Sequence, residues 1–289
     1  MLTTALALAG VVSPVCAQAA PPSLPEPLHS WLASPVPRGD QLTGRFGQFQ
    51  RALAKSLPGV IGVSVVPVGS DAAISLGRFR TGWAWSTLKV PVSLAAERRL
   101  GTRVAGTTAR AIRFSDNDAA EVLWGKLGSN HSAVDAVTAV LREGHDTTTH
   151  VSSQEDHPPS YPGYTMWALA DQARFAAHLP CMADTTRLLR LMSSVGPNQR
   201  WGVANLARTT DGVVSTAVKG GWGPGTGRSS AYLVRQMAIV STTRGEFAVA
   251  MAAVPRSGEF DDGTAMLTRI GTWLGRNLAS IPVGGCVRG

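Results

Sequence analysis

Charge is scarce in this chain. Only 16% of its 289 residues are Asp, Glu, Lys or Arg, against about 25% in an ordinary soluble protein. That excludes a coiled coil, a polyelectrolyte tail and a hyperthermophile surface. Acidic residues are the scarcer kind, 19 against 27 basic ones, so the net charge is +8. The basic residues form no run of five, so nucleic acid is the weakest of the partners a basic chain can take, behind an anionic cell surface and an acidic substrate. Beyond the N-terminal segment no stretch of 18 consecutive apolar residues occurs, and no stable membrane span is expected. Cysteine is limited to three residues, Cys16, Cys181 and Cys286, with no paired zinc-type spacing. There is no H-E-x-x-H either, so no metal or other cofactor is expected. His145, His150 and His157 lie close to Asp146 and read as a solvated loop. With no G-x-S-x-G elbow, an α/β-hydrolase is disfavoured. The eight tryptophans are spread along the chain, as core or cleft walls rather than a stacking platform.

Apolar residues make up 44% of the chain, enough for a globular fold with a sizeable core. Residues 1–19 carry no charged side chain. An apolar run over 2–12 followed by Ala17-Gln18-Ala19 reads as a signal peptide with a small-x-small cleavage pattern. Residues 20–38, with Pro21, Pro22, Pro25, Pro27, Pro35 and Pro37, read as a stiff leader. A secreted or cell-envelope protein is therefore expected. Cleavage would leave Cys181 and Cys286, which either pair, as an oxidising compartment favours, or stay as buried thiols.

Hydrophobic periodicity predicts a helix over 39–57, with Phe46, Phe49 and Leu53 on one stripe and Pro58-Gly59 stopping it. Strands follow over 60–68 and 73–79, mostly helix over 86–195, strands over 213–219, 231–241 and 247–254, and a closing helix over 266–278. The turns joining the last strands are short, so the sheet is antiparallel there. The pattern is α+β, with one domain over 39–289.

Three short motifs stand in order. Ser86-Thr87-Leu88-Lys89 puts a serine and a lysine on one helix face, where a neutral amine can take the serine proton; helix-start N–H groups beside the serine suit an oxyanion. The plain alternative is a serine at a helix start and a solvated lysine. Ser115-Asp116-Asn117 precedes a helical stripe and reads equally as an N-cap. Lys219-Gly220-Gly221 closes an apolar strand; the lysine can meet a carboxylate, and the glycines admit a ligand backbone.

Taken together, S-x-x-K, S-D-N and K-G-G in this order resemble the serine β-lactamase and penicillin-binding superfamily, particularly the class A β-lactamases. The resemblance implies a five-stranded antiparallel sheet with a helical lobe. It also implies an acyl-serine intermediate on β-lactams or D-Ala-D-Ala-like peptidoglycan peptides; a monomer is expected, although the sequence does not give the oligomeric state. By the motifs, Ser86 would be the nucleophile, Lys89 its base and Ser115 a proton shuttle. Asn117 would bind the acylamide and Lys219 the substrate carboxylate, beside Gly221. The N–H groups of Ser86 and Trp222 would form the oxyanion hole. Three departures stand out. Only 29 positions separate Ser86 from Ser115, so part of one cleft wall is missing. Gly220 replaces the usual Thr or Ser. No E-x-x-L-N follows Thr149, and Glu155 is the one acidic candidate for the deacylating base, read against a solvated loop glutamate. A non-catalytic carboxylate-binding protein on the same fold, and a serine carboxylesterase, are the rival readings.

Overall fold

The computed structural model describes residues 38–225 and 231–287; the expected signal peptide and leader, with Cys16, lie outside them. In chain order the elements are α1 (Arg38–Leu53), β1 (Gly59–Pro67), β2 (Ile74–Gly77), β3 (Thr81–Trp83), a 3-10 turn (Trp85–Leu88), α2 (Lys89–Leu100), α3 (Ala105–Arg113), α4 (Asn117–Lys126) and α5 (Asn130–Glu143). Then come β4 (Met166–Ala168), α6 (Leu169–His178), α7 (Thr186–Met192), α8 (Leu206–Thr209), β5 (Val213–Pro224), β6 (Tyr232–Thr242), β7 (Gly245–Pro255) and α9 (Phe260–Arg276). Five strands form one antiparallel sheet in the order β2-β1-β7-β6-β5, and β3 pairs with β4 in a small second sheet. The expected α+β sheet is present.

Both faces of this sheet are covered, and β7 shows how its sequence allows it. Val249, Met251 and Ala253 face one core cluster, shared with Phe46 of α1 and Ile270 and Leu274 of α9. Ala248, Ala250 and Ala252 face the other, shared with Ala173 and Ala176 of α6. Alternate residues of a strand point to opposite faces, and the alanine face lets α6 lie close to the sheet. The two terminal helices meet where Phe46 packs edge-on against Trp273, with ring centroids 5.0 Å apart, a favoured aromatic geometry. Cys181, just after α6, is bonded to Cys286 across 105 residues, which ties the C-terminal tail to the helical lobe.

One boundary moves in a way that matters for the site. Strand β5 does not end at Lys219 but runs on to Pro224 through Gly220, Gly221 and Gly223. Glycine weakens a strand because it has no side chain to pack. Here something else occupies that space. A Cβ at Gly221 would stand 3.1 Å from Ser86 N and 2.9 Å from Ala84 O. One at Gly223 would stand 2.5 Å from the Trp85 ring. The glycines let the edge strand press against the turn that carries Ser86.

Candidate active site

Ser86 sits in the 3-10 turn that leads into α2, with Lys89 as the first residue of that helix. The turn is braced from below. Thr87 Oγ1 donates to Ala84 O at 2.5 Å and accepts from Gln172 Nε2 at 2.8 Å. Gln172 Oε1 in turn accepts from Arg235 Nη2 at 2.8 Å, while Arg235 Nη1 donates to the carbonyls of Gly82 and Trp83, both at 2.8 Å. Arg235 is fully buried with no carboxylate partner among the described residues, and burial pulls its guanidinium down to about 9. Trp85, directly before Ser86, has φ +46°, and Ser115 has φ +59°. A bulky residue in this left-handed region is strained and persists only where packing over-determines it. Trp83 and Tyr164 hold the Trp85 ring, at centroid distances of 5.6 and 5.1 Å.

The three motifs converge. Lys89 Nζ donates to Ser115 O at 2.5 Å and to Asn117 Oδ1 at 2.7 Å. Burial holds the Lys89 amine down to about 8, against an opposing pull from the Asp116 charge. A neutral amine with both N–H groups engaged in this way keeps its lone pair for a third direction. Ser86 Oγ is only partly covered and makes no hydrogen bond among the described residues. Asp116 caps α4, accepting from Ala119 N at 2.9 Å, and is paired with Arg110. The S-D-N motif is therefore a helix cap and part of the site at once.

Lys219 is fully buried. Its Nζ donates to Ser115 Oγ at 3.0 Å, Gln199 Oε1 at 2.6 Å and Gly220 O at 2.7 Å. Burial lowers its pKa well below the ordinary lysine range, with the Lys89 charge adding to the effect. With its donors occupied and no exposed surface, this amine meets Ser115 rather than solvent. Gln199 also accepts from Gly220 N at 3.0 Å, so that N–H points away from β6. Trp222, two residues on in the same strand, has the same parity, and its N–H faces the same open edge beside Ser86. Trp201 lies over the other face of Gly220: a Cβ there would stand 2.7 Å from the indole ring. The aromatic ring occupies the place where a threonine or serine side chain would begin.

A cavity of about 410 Å³ opens next to Ser86, Lys89 and Asn117. Gln154 lines it and Glu155 does not; Glu155 is exposed, its backbone N–H held by Ser153 Oγ. The histidine group also separates. Asp146 is buried and accepts from Trp167 Nε1 at 2.8 Å, and His150 faces Asp156. His145 instead stacks on His178 at 3.6 Å, both rings within 2.9 Å of Asp71 Oδ1. That grouping brings together residues up to 107 positions apart and left no local trace in the sequence. The same holds for Gln172, Gln199, Trp201 and Arg235, which carry no motif and act through long-range contacts.

No family model and no curated protein matches the chain. Solved structures do. A β-lactamase from Sphaerobacter thermophilus aligns with a TM-score of 0.60 at 16% identity, over 83% of this chain and 99% of that one. The TLA-1 extended-spectrum β-lactamase aligns with a TM-score of 0.63 at 13% identity, over 82% and 99%. A mutant of PBP-A, solved as an acyl-enzyme complex with penicillin G, aligns with a TM-score of 0.60 at 16% identity, over 82% and 97%. At such identities the likeness is one of architecture: the chain has the fold of the serine β-lactamases and penicillin-binding proteins.

Proposed function

We propose that this chain is an exported serine acyl-enzyme, a hydrolase or acyltransferase in which Ser86 is acylated by β-lactams or D-Ala-D-Ala-like peptides. The observation that carries the reading is the pair of buried lysines meeting at Ser115. Lys89 holds the Ser115 carbonyl and Lys219 its hydroxyl. Ser86 Oγ attacks the acyl carbonyl carbon and its proton passes to the Lys89 lone pair. The oxyanion is held by the N–H groups of Ser86 and Trp222, and Ser115 hands a proton to the leaving nitrogen. Asn117 has its Oδ1 committed to Lys89, which leaves Nδ2 to donate to an acylamide carbonyl. Lys219 acts on substrate through Ser115. The Cys181–Cys286 bond supports an oxidising compartment.

Removal of the acyl group is the slow half. Deacylation in class A enzymes uses a glutamate and a water. In the loop after Thr149 it is Gln154 that lines the cavity, and its amide is no base, while Glu155 stands outside; the carboxylate on the wall, Glu121, comes from α4 and not from this loop. The acyl-enzyme is expected to persist. The test is to incubate the protein and Ser86→Ala with a fluorescent penicillin and a chromogenic cephalosporin. Stable Ser86-dependent labelling with little turnover supports the proposal. Rapid turnover abolished by Glu155→Ala would reinstate Glu155 as the deacylating base, and no labelling by any acyl donor would favour a non-catalytic binding protein.

A further inference from the structure

Two features of the cleft bear on what is acylated, one on each side of Ser86. On the β5 side, the provisions for an anionic substrate group are closed off among the described residues. Lys219 has no exposed surface and its donors are taken up by three protein oxygens. Gly220 offers no hydroxyl, and the Trp201 ring fills the space its side chain would enter. On the other side, past Asn117, the cavity runs between α2, α4 and the segment at 154–163. Its walls are mainly apolar, from Leu88, Val92, Ala120, Trp124, Tyr161 and Pro162, with Glu121, Asn130 and Gln154 set among them. Trp124 is pinned by its Nε1, which donates to Asn130 Oδ1 at 2.9 Å. Only α2, a 3-10 turn and α3 lie between Ser86 and Ser115. At about 410 Å³ it lies within the usual range of ligand pockets, roughly 300–1,000 Å³. Mainly apolar walls, with Ser86, Lys89 and Asn117 at one end and only Glu121, Asn130 and Gln154 as further polar lining, describe a pocket that binds an apolar tail and orients a reactive head.

We propose that the acyl donor for Ser86 carries a bulky apolar acyl group, alkyl or aryl, seated in this chamber, and needs no carboxylate on its leaving side. This rests on the acyl-serine reading and narrows its substrate class. The step is an ordinary acyl transfer. Ser86 Oγ bonds to the carbonyl carbon of the ester or amide, and its proton goes to Lys89 Nζ. The bond to the alkoxide or amine breaks, and the leaving group takes the proton. Water then splits the Ser86 ester, returning the hydroxyl and releasing the apolar acid. An extra methylene in an apolar pocket changes kcat/KM by about tenfold or more when it is well held, so chain length is a sensitive readout.

The experiment compares 4-nitrophenyl acetate, butyrate and octanoate, and 4-nitrophenyl octanoate with its 3-carboxy-4-nitrophenyl counterpart. Acylation rates are read on the full protein, Ser86→Ala and Ala120→Trp, whose indole would fill the chamber. In parallel, octanoate binding is followed in Ser86→Ala through tryptophan fluorescence, with and without Ala120→Trp. Circular dichroism and retained acetate reactivity check that Ala120→Trp is folded; Val92→Phe is the second filling variant. The expected result is Ser86-dependent acylation rising at least tenfold from acetate to octanoate. The rise should collapse in Ala120→Trp while acetate is spared, and the carboxylated leaving group should give less than a twofold advantage. Ser86-dependent acylation with a flat chain-length profile, or a tenfold preference for the carboxylated leaving group, overturns this proposal but leaves the acyl-serine reading standing. No acylation by any donor overturns that reading instead. The chamber is then judged on octanoate alone: binding that the filling variants abolish supports an apolar ligand, and none refutes it.

Discussion

Replacing Lys89 with methionine separates the lysine's chemical role from its effect on stability. Burial holds this amine at about 8 in the folded protein, from an ordinary value of 10.5. The sign follows from linkage: the unfolded chain binds the proton more tightly, so folding is penalised wherever the unfolded lysine is charged. The penalty is fully present below about pH 8 and fades as pH rises from there towards 10.5. A shift of this size corresponds to about 3 kcal/mol. Methionine, unbranched and of similar length, removes the penalty but leaves Ser115 O and Asn117 Oδ1 without their donor, at about 1–3 kcal/mol for the buried carbonyl. The two effects oppose each other at pH 7, and only the first depends on pH. Lys219, the other amine in the cluster, titrates in both proteins. Loss of the Lys89 charge relaxes it, which favours the variant at low pH as well. In urea unfolding, the stability of Lys89→Met relative to the parent should therefore fall by about 2–3 kcal/mol between pH 7 and pH 10, while Ser86 acylation is lost at both. In the parent, about one lysine in ten is neutral at pH 7, so acylation should rise about tenfold per pH unit up to a plateau near pH 8–9. A stability difference that does not change with pH, or acylation that falls as pH rises, would refute the assignment of Lys89 as a buried, depressed base.

Other expectations follow from the same geometry. Gly220→Thr pushes a side chain into the Trp201 ring and should destabilise the protein by about 1–3 kcal/mol in thermal unfolding; Trp201→Ala in the same protein should relieve the clash. Cys181→Ser opens a 105-residue loop and should lower stability by about 2–5 kcal/mol, with the parent falling to the same level under a reductant. Gln154→Glu places a second carboxylate, besides Glu121, on the wall of the cavity. It should shorten the acyl-enzyme lifetime at least tenfold, read as the decay of a fluorescent penicillin label, without changing the acylation rate by more than about twofold.

Much of this was legible in the sequence, and the exceptions have a common cause. Strands such as β1, with Ile61, Val63 and Val65 on one face and five β-branched residues in its nine, announce themselves by local pattern. So do the helices with one apolar stripe. The residues Ser86, Lys89, Ser115, Asn117 and Lys219 stand out because each lies in a short motif, and the structure joins the last four by hydrogen bonds and sets Ser86 beside the same cavity as Lys89 and Asn117. What escaped depended on partners far along the chain. Glycines normally end a strand, yet β5 continues through three of them because Trp201, the Ser86 turn and Trp85 fill the vacant space. Arg235 and Gln199 carry no motif, although one braces the turn that holds Ser86 and the other holds Lys219. In the segment after Thr149, Glu155 drew attention by its charge, while its neighbour Gln154 is the one that lines the cavity.

The most direct test of the central claim is to map the acyl adduct. Trypsin releases residues 81–89, in which Ser86 is the only serine. After incubation with benzylpenicillin or 4-nitrophenyl octanoate, mass spectrometry should find this peptide heavier by one acyl group in the parent protein and unmodified in Ser86→Ala. An adduct that maps elsewhere and survives Ser86→Ala, or no adduct with either donor, would contradict the account.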